Sequence, residues 1–224
     1  MGAKTNTSAN DYVALIYNAT AIANIADNAA TSPLTQIFIA AHTADIGPTG
    51  VQNTSEAAYT GYARATPART TGGFTCSTGV VTLVANASFG ACTAGSATLT
   101  HWSTGVASSG ATKVLHRGVF GSRLGPFTGA TTNTITLPGT TLAVDDRIVF
   151  YSVLGSSLPT GIAEGTVYWV KTASGADITV STTQGGAAVT ITVAGDGIAY
   201  RVTPIAVSAG VTPQLAAGAI IYEE

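Results

Sequence analysis

The chain has 224 residues, nine basic and eleven acidic, so that 9% are charged and the formal net charge is -2. An ordinary soluble domain carries about 25% charged residues, and chains near neutrality associate because little repulsion keeps copies apart. A surface built instead from Thr, Ser, Asn, Gly and Ala predicts a molecule packed against other copies or another protein, a structural component before an enzyme.

A membrane is excluded as the cause of low charge. A spanning helix needs about 20 consecutive apolar residues, and the longest candidates, 12–26 and 34–41, are short and broken by Asn18, Thr20, Asn24 and Gln36. The first ten residues are polar, with no apolar signal core beside a basic flank, so synthesis in a reducing cytoplasm is expected. Nucleic acid is not an expected partner, because the basic residues lie singly and form no stripe along which phosphates could be neutralised. Arg64 with Arg69, and Lys113 with Arg117 and Arg123, read as isolated surface charges. Cys76 and Cys92 would close a loop of about 15 residues, a bridge contributing roughly 3 kcal/mol. In a reducing compartment free thiols are the expectation. Two Cys with His42, His101 and His116 show none of the paired spacings of metal ligation, so neither metal nor cofactor is expected.

An amphipathic helix opens the chain. Ser8 or Asn10 can cap it, and Asp11 suits the positive end of its dipole. Tyr12, Leu15, Ile16, Ala19, Ile22 and Ile25 recur at three- and four-residue intervals and define its predicted apolar face. Asn24, Asp27 and Asn28 weaken the pattern, and Ser32-Pro33 ends it.

From Pro33 onward the pattern is β. Strands are predicted over 34–41, 62–65, 80–85, 97–106 and 113–120, with a Gly-rich loop from 47 to 59 between the first two. Alternation within 97–106 sends Leu99, His101 and Ser103 to one face and Thr98, Thr100 and Trp102 to the other. Six further short strands, 134–137, 147–151, 167–171, 178–181, 189–193 and 198–202, are separated by Gly turns. The last segment ends in an apolar strand over 219–222. The predicted fold is therefore mainly β: an N-terminal amphipathic helix and a β-sandwich or jelly-roll-like domain, 1–128 plus 203–224. A second small β domain, 129–202, is inserted near the C-terminus. A surface loop tolerates such an insertion because doubling its length costs only about 0.6 kcal/mol of closure entropy.

Residues 34–64, "LTQIFIAAHTADIGPTGVQNTSEAAYTGYAR", continued by "SATLTHWSTGVASSGATKVLHRGVF" from Ser96, resemble a group of tailed-bacteriophage virion proteins. The shared features are a strand ending in His-Thr-Ala-Asp, a Gly loop and a Tyr-x-Gly-Tyr-x-Arg element. In that group the chain runs directly into a terminal segment like "SAGVTPQLAAGAIIYEE", here 208–224; this chain places about 75 residues between. The insert, with "DDRIVFYSVLGSSLPTGIAEGTVYWVK" over 145–171 and "GGAAVTIT" over 185–192, is similar to a small β module of phage tail and capsid proteins. There Asp145 stands in place of a Gly and Trp169 in place of a Tyr.

Catalytic alternatives are weaker. His42 with Asp45 and a nearby hydroxyl lacks a Gly-x-Ser-x-Gly elbow or comparable motif, and is expected to satisfy loop carbonyls at a strand end. His101 beside Trp102 reads as a packed strand histidine. The acidic residues show no pairing suited to glycoside cleavage. Tyr168 and Trp169 fall on opposite faces of one strand, so at most one could form a sugar-stacking platform.

The resemblance implies a non-enzymatic virion protein on the capsid surface, a capsid decoration (cement) protein binding major capsid subunits. The alternative is a tail or head-fibre component contacting the host. A homotrimer is the favoured stoichiometry. Tyr12, Leu15, Ile16, Tyr59, Tyr62 and Trp169 are the expected assembly-interface residues, with no catalytic, cofactor or metal residues among them.

Overall fold

A computed structural model describes residues 6–22, 25, 32–153 and 155–222. One helix, α1 (Asn6–Tyr17), is followed by β1 (Phe38–His42), β2 (Phe74–Ser77), β3 (Val80–Leu83), β4 (Ala87–Ser88), β5 (Ala97–Leu99), β6 (His101–Gly105), β7 (Val114–Val119) and β8 (Gly121–Gly129). Then come β9 (Ile135–Thr136), β10 (Arg147–Tyr151), β11 (Tyr168–Ser174), β12 (Asp177–Ser181), β13 (Gly195–Val202), β14 (Ile205–Val207), β15 (Gln214–Leu215) and β16 (Ile220–Tyr222). The chain is mainly β with a single short N-terminal helix among the described residues. It divides into two compact units, one of residues 1–43, 50–118 and 206–224, the other of 44–49 and 119–205.

The first unit carries four small sheets, ordered β1-β6-β7, β14-β5, β15-β4 and β16-β3-β2. Its centre is the antiparallel pair β1 and β6, in which Phe38 faces Gly105 and His42 faces His101. All five β6 residues are buried. The predicted run 97–106 divides at Thr100 into β5 and β6, and β6 is covered on both of its faces. The predicted strand at 62–65 reduces to a single bridge, Ala65 to Ile39. Backbone crowding explains the glycines between these pieces. A Cβ on Gly61, at φ +96°, would lie 2.1 Å from the Ala91 carbonyl oxygen, and one on Gly90, at φ +80°, 2.1 Å from that of Gly61. Only glycine allows both the left-handed conformation and the approach.

Helix α1 begins earlier and ends sooner than the apolar pattern predicts. Its buried residues are Ala9, Val13, Ala14 and Tyr17, while Tyr12 is 49% exposed. The spacing 9, 13, 17 is a helical face as regular as the predicted one. The structure selects it because Tyr17 has hydrogen-bond partners inside the unit, described below. Ala19 already has φ +54°, outside the helical region. Asn24, Asp27 and Asn28 lie outside the described residues.

The second unit contains a closed six-stranded barrel in the order β10-β11-β12-β9-β8-β13. Closure leaves no free edge for another strand to pair with. Period-two alternation sends Phe127, Ile135, Ile148, Phe150, Tyr168, Val170, Ile178, Val180 and Ala199 into one core. Each such large side chain contributes about 1.5–3 kcal/mol of burial. The longest barrel strand is β8, and all of it but Gly129 lies in the stretch up to 128 that the sequence assigns to the first domain. Its composition, GSRLGPFTG, hides it: Gly and Pro signal a turn, yet its full-length pairing with β13 holds it extended. The predicted strand over 189–193 is irregular, although Val189 N–H still donates to the Val180 carbonyl at 2.8 Å.

Candidate functional site

The most concentrated polar chemistry lies inside the first unit. The Arg64 side chain is 1% exposed and grips Glu56 through Nε–Oε1 at 2.7 Å and Nη2–Oε2 at 2.8 Å. Its remaining donors reach Gln52 Oε1 at 3.0 Å and the carbonyls of Ala107 at 2.9 Å and Gly110 at 2.8 Å. Gln52 Nε2 donates to the Phe38 carbonyl at 2.7 Å. The fork of one guanidinium thus ties the loop after β1 to the β6–β7 connection. Arg64 is the buried centre of this network, which overturns its reading as an isolated surface charge. Arg69 is not isolated either. Its Nε and Nη2 donate to the Ile16 and Leu15 carbonyls at 2.5 Å each, placing a cation on the negative end of α1.

His42 and Ser103 have the outline of a base and nucleophile. Ser103 Oγ lies 2.7 Å from His42 Nε2, and His42 Nδ1 lies 2.9 Å from the Thr54 carbonyl oxygen. The carbonyl accepts, so Nδ1 carries the proton and Nε2 accepts from the serine hydroxyl. Both side chains are fully buried, so no substrate carbonyl can reach the hydroxyl, and the pair clasps β1, β6 and the following loop. His101 is likewise buried, with Nδ1 2.9 Å from Thr100 Oγ1.

A third cluster joins the two ends of the unit. The Tyr17 hydroxyl meets Thr104 Oγ1 at 3.2 Å and His116 Nδ1. The His116 ring stacks on Tyr17 and tilts against Tyr222, with centroids 5.6 and 4.5 Å away. Burial pushes the His116 imidazole down to about 4 and raises the Tyr17 phenol. Among the described residues no group of three or more His, Cys, Asp or Glu could hold a metal. Cys76 and Cys92 are free thiols, and burial raises the Cys76 thiol to about 11. A raised Cys76 thiol is the reverse of an activated nucleophile, and Cys92 is buried.

The six expected interface residues differ in exposure. Tyr12 projects from α1, and Leu15 and Ile16 are half-buried beside it. Tyr59 is buried, its hydroxyl donating to the Phe89 carbonyl at 2.8 Å. It is a structural tyrosine, which corrects its expected exposure. Tyr62 is half-buried, accepts from the Ala41 N–H at 3.0 Å and donates to Glu56 Oε1 at 2.9 Å. Its second role is to complete the Arg64 network. Trp169 belongs to the other unit, half-exposed, with the Arg147 guanidinium 4.2 Å over its ring.

The few charges are further depleted by internal contacts. Besides Arg64, Glu56 and Arg69, Arg201 pairs with Asp146 at 3.0 Å, Lys171 donates to the Gly186 carbonyl at 2.7 Å, and Asp177 accepts from Thr136 at 2.6 Å. An open groove of about 400 Å³ in the first unit is lined by Ala65, Pro67, Gly73, Leu83, Asn86 and their neighbours, without an ionisable side chain. Comparison with known proteins finds no matching family model, no matching curated protein and no matching solved structure.

Proposed function

We propose that this chain is a non-enzymatic structural protein of a bacteriophage virion, a capsid decoration protein that stabilises the head by binding major capsid subunits. The observation that carries the reading is the fate of the charges. A sequence already at 9% charged residues engages Arg64, Glu56, Arg69, Arg201, Asp146, Lys171 and Asp177 within its own fold. Of these Arg64 is buried, and the charges left at the surface, Asp177 and Asp145 among them, are few for a chain of this length, a surface suited to being covered.

Decoration needs no chemistry. A protein that binds only the assembled shell lowers the free energy of that state and shifts the equilibrium toward it. The buried clamps of the first unit and the closed barrel of the second suit this role, because rigid surfaces lose little entropy on docking. The sealed His42–Ser103 pair favours this reading over a hydrolase. The half-exposed Trp169 is the one feature that favours a tail or head-fibre component touching a host glycan.

Gel densitometry of purified particles of the encoding phage tests the proposal. Decoration predicts a copy number comparable to that of the major capsid protein. A few copies per particle favours the fibre reading, and absence from particles contradicts both.

A further inference from the structure

One corner of the barrel carries opposite charges that the fold leaves unused. The turn from Ala143 to Asp146 is closed by the Asp146 N–H donating to the Ala143 carbonyl at 3.1 Å. Asp146 Oδ2 accepts from the Ala143 N–H at 2.9 Å. The turn is pinned beside β11 by Asp145 N–H to Val170 O and Val170 N–H to Asp146 O, both 2.8 Å. Two residues ride on its tip. Val144 is 57% exposed, and Asp145 has φ +73°, a conformation in which glycine would be easier. Among the described residues, no hydrogen bond or ion pair engages the Asp145 carboxylate.

Two residues on, Arg147 starts β10 directly opposite Trp169 of β11. Its guanidinium rests on the indole at 4.2 Å, and among the described residues its N–H donors have no acceptor. The Trp169 indole N–H is equally uncommitted. An arginine held over an aromatic ring has lost much of its rotamer freedom while keeping a planar fork that fits a carboxylate. Arg and Trp are also the side chains that most often dominate protein contacts. A strained aspartate, an exposed valine and a pre-placed arginine thus share one rigid corner, and the two charges do not pair with each other.

We infer that this corner is a contact between copies of the chain around a shared symmetry axis, in which Arg147 of one copy grips Asp145 of the next. Residues so near in sequence can meet cyclically only where every copy brings the same corner to the axis, and each carboxylate and each guanidinium is then used once. Val144 and Trp169 supply the apolar area that excludes water around the pairs. The low net charge opposes such association weakly. The inference rests on the reading that the chain works packed against its own copies, and it names the place.

Sedimentation velocity of the full chain tests it with wild type, Arg147→Asp, Asp145→Asn and the exchange Asp145→Arg with Arg147→Asp, each checked for folding by thermal melting. Wild type is expected to sediment as a closed oligomer. Each single change raises its dissociation constant about 30-fold or more, and the exchange recovers most of the loss. A wild-type monomer overturns the inference, as does an oligomer indifferent to both single changes, or an exchange that recovers nothing. Co-sedimentation with phage shells separates the two claims. A wild-type oligomer that ignores shells supports the contact and contradicts the decoration role.

Discussion

The Arg64 guanidinium and the Glu56 carboxylate meet through two parallel hydrogen bonds, 2.7 and 2.8 Å long, inside a unit whose surface carries little charge. Removing one member of such a pair leaves the other buried without its counter-charge, which costs about 3–5 kcal/mol. Glu56→Gln is expected to lower stability by about that amount in urea melts, with the m-value unchanged. Replacement of both residues by apolar side chains of similar volume is expected to cost less than removal of Arg64 alone, because no buried carboxylate is left without its counter-charge. A single variant within about 0.5 kcal/mol of wild type contradicts the clamp.

His116 predicts an acid-sensitive first unit. Its imidazole titrates near 4 when folded, against about 6.5 in the unfolded chain. The unfolded state therefore takes up the proton first as the pH falls. Stability is full above about pH 6.5 and declines toward pH 4, after which this contribution is exhausted. Partial exposure reduces the total to roughly 2 kcal/mol. Melting temperatures across that window should decline in wild type and be flatter in His116→Gln. Parallel profiles for the two proteins contradict the assignment.

Arg69 fastens the end of α1 through the Leu15 and Ile16 carbonyls. Arg69→Ala is expected to speed amide exchange in α1 selectively, at a stability cost of about 1–2 kcal/mol, while barrel amides keep their protection. Uniform acceleration throughout the chain argues against a local fastening.

Much of the β architecture is legible in the sequence because period-two alternation survives wherever one face is buried. Strand β10 has the predicted bounds, 147–151, since Ile148 and Phe150 enter the core while Arg147 and Tyr151 flank them. Strand β8 is not legible, because its Gly and Pro are compensated by pairing with a strand some 70 residues away. The helix face is misread for a different reason. Two apolar stripes coexist on α1, and the choice falls to Tyr17, whose partners Thr104 and His116 are distant in sequence. Arg64 and Tyr59 are misplaced likewise: nothing local distinguishes a surface arginine from one whose acceptors come from 52, 56, 107 and 110. The turn at Asp145 alone leaves a local trace, an adjacent acidic pair followed by an arginine.

Glycine at position 90 offers a check on the packing of the first unit. Gly90→Ala would set a Cβ 2.1 Å from a backbone oxygen at a left-handed residue. Clash and strain together should cost about 2 kcal/mol or more. Gly175→Ala, at φ +62° in open space, carries the strain alone and should cost about half as much. Equal losses in chemical melts would show that the close approach is relaxed in solution.

A charge-poor exterior covered by a viral shell is the heart of the proposed role. Purified protein mixed with undecorated heads of the encoding phage and sedimented through a cushion measures this directly. Saturable co-sedimentation in a fixed ratio to the major capsid protein is expected, with heads that open at a higher temperature once loaded. Protein left entirely in the supernatant, with the opening temperature unmoved, would contradict it.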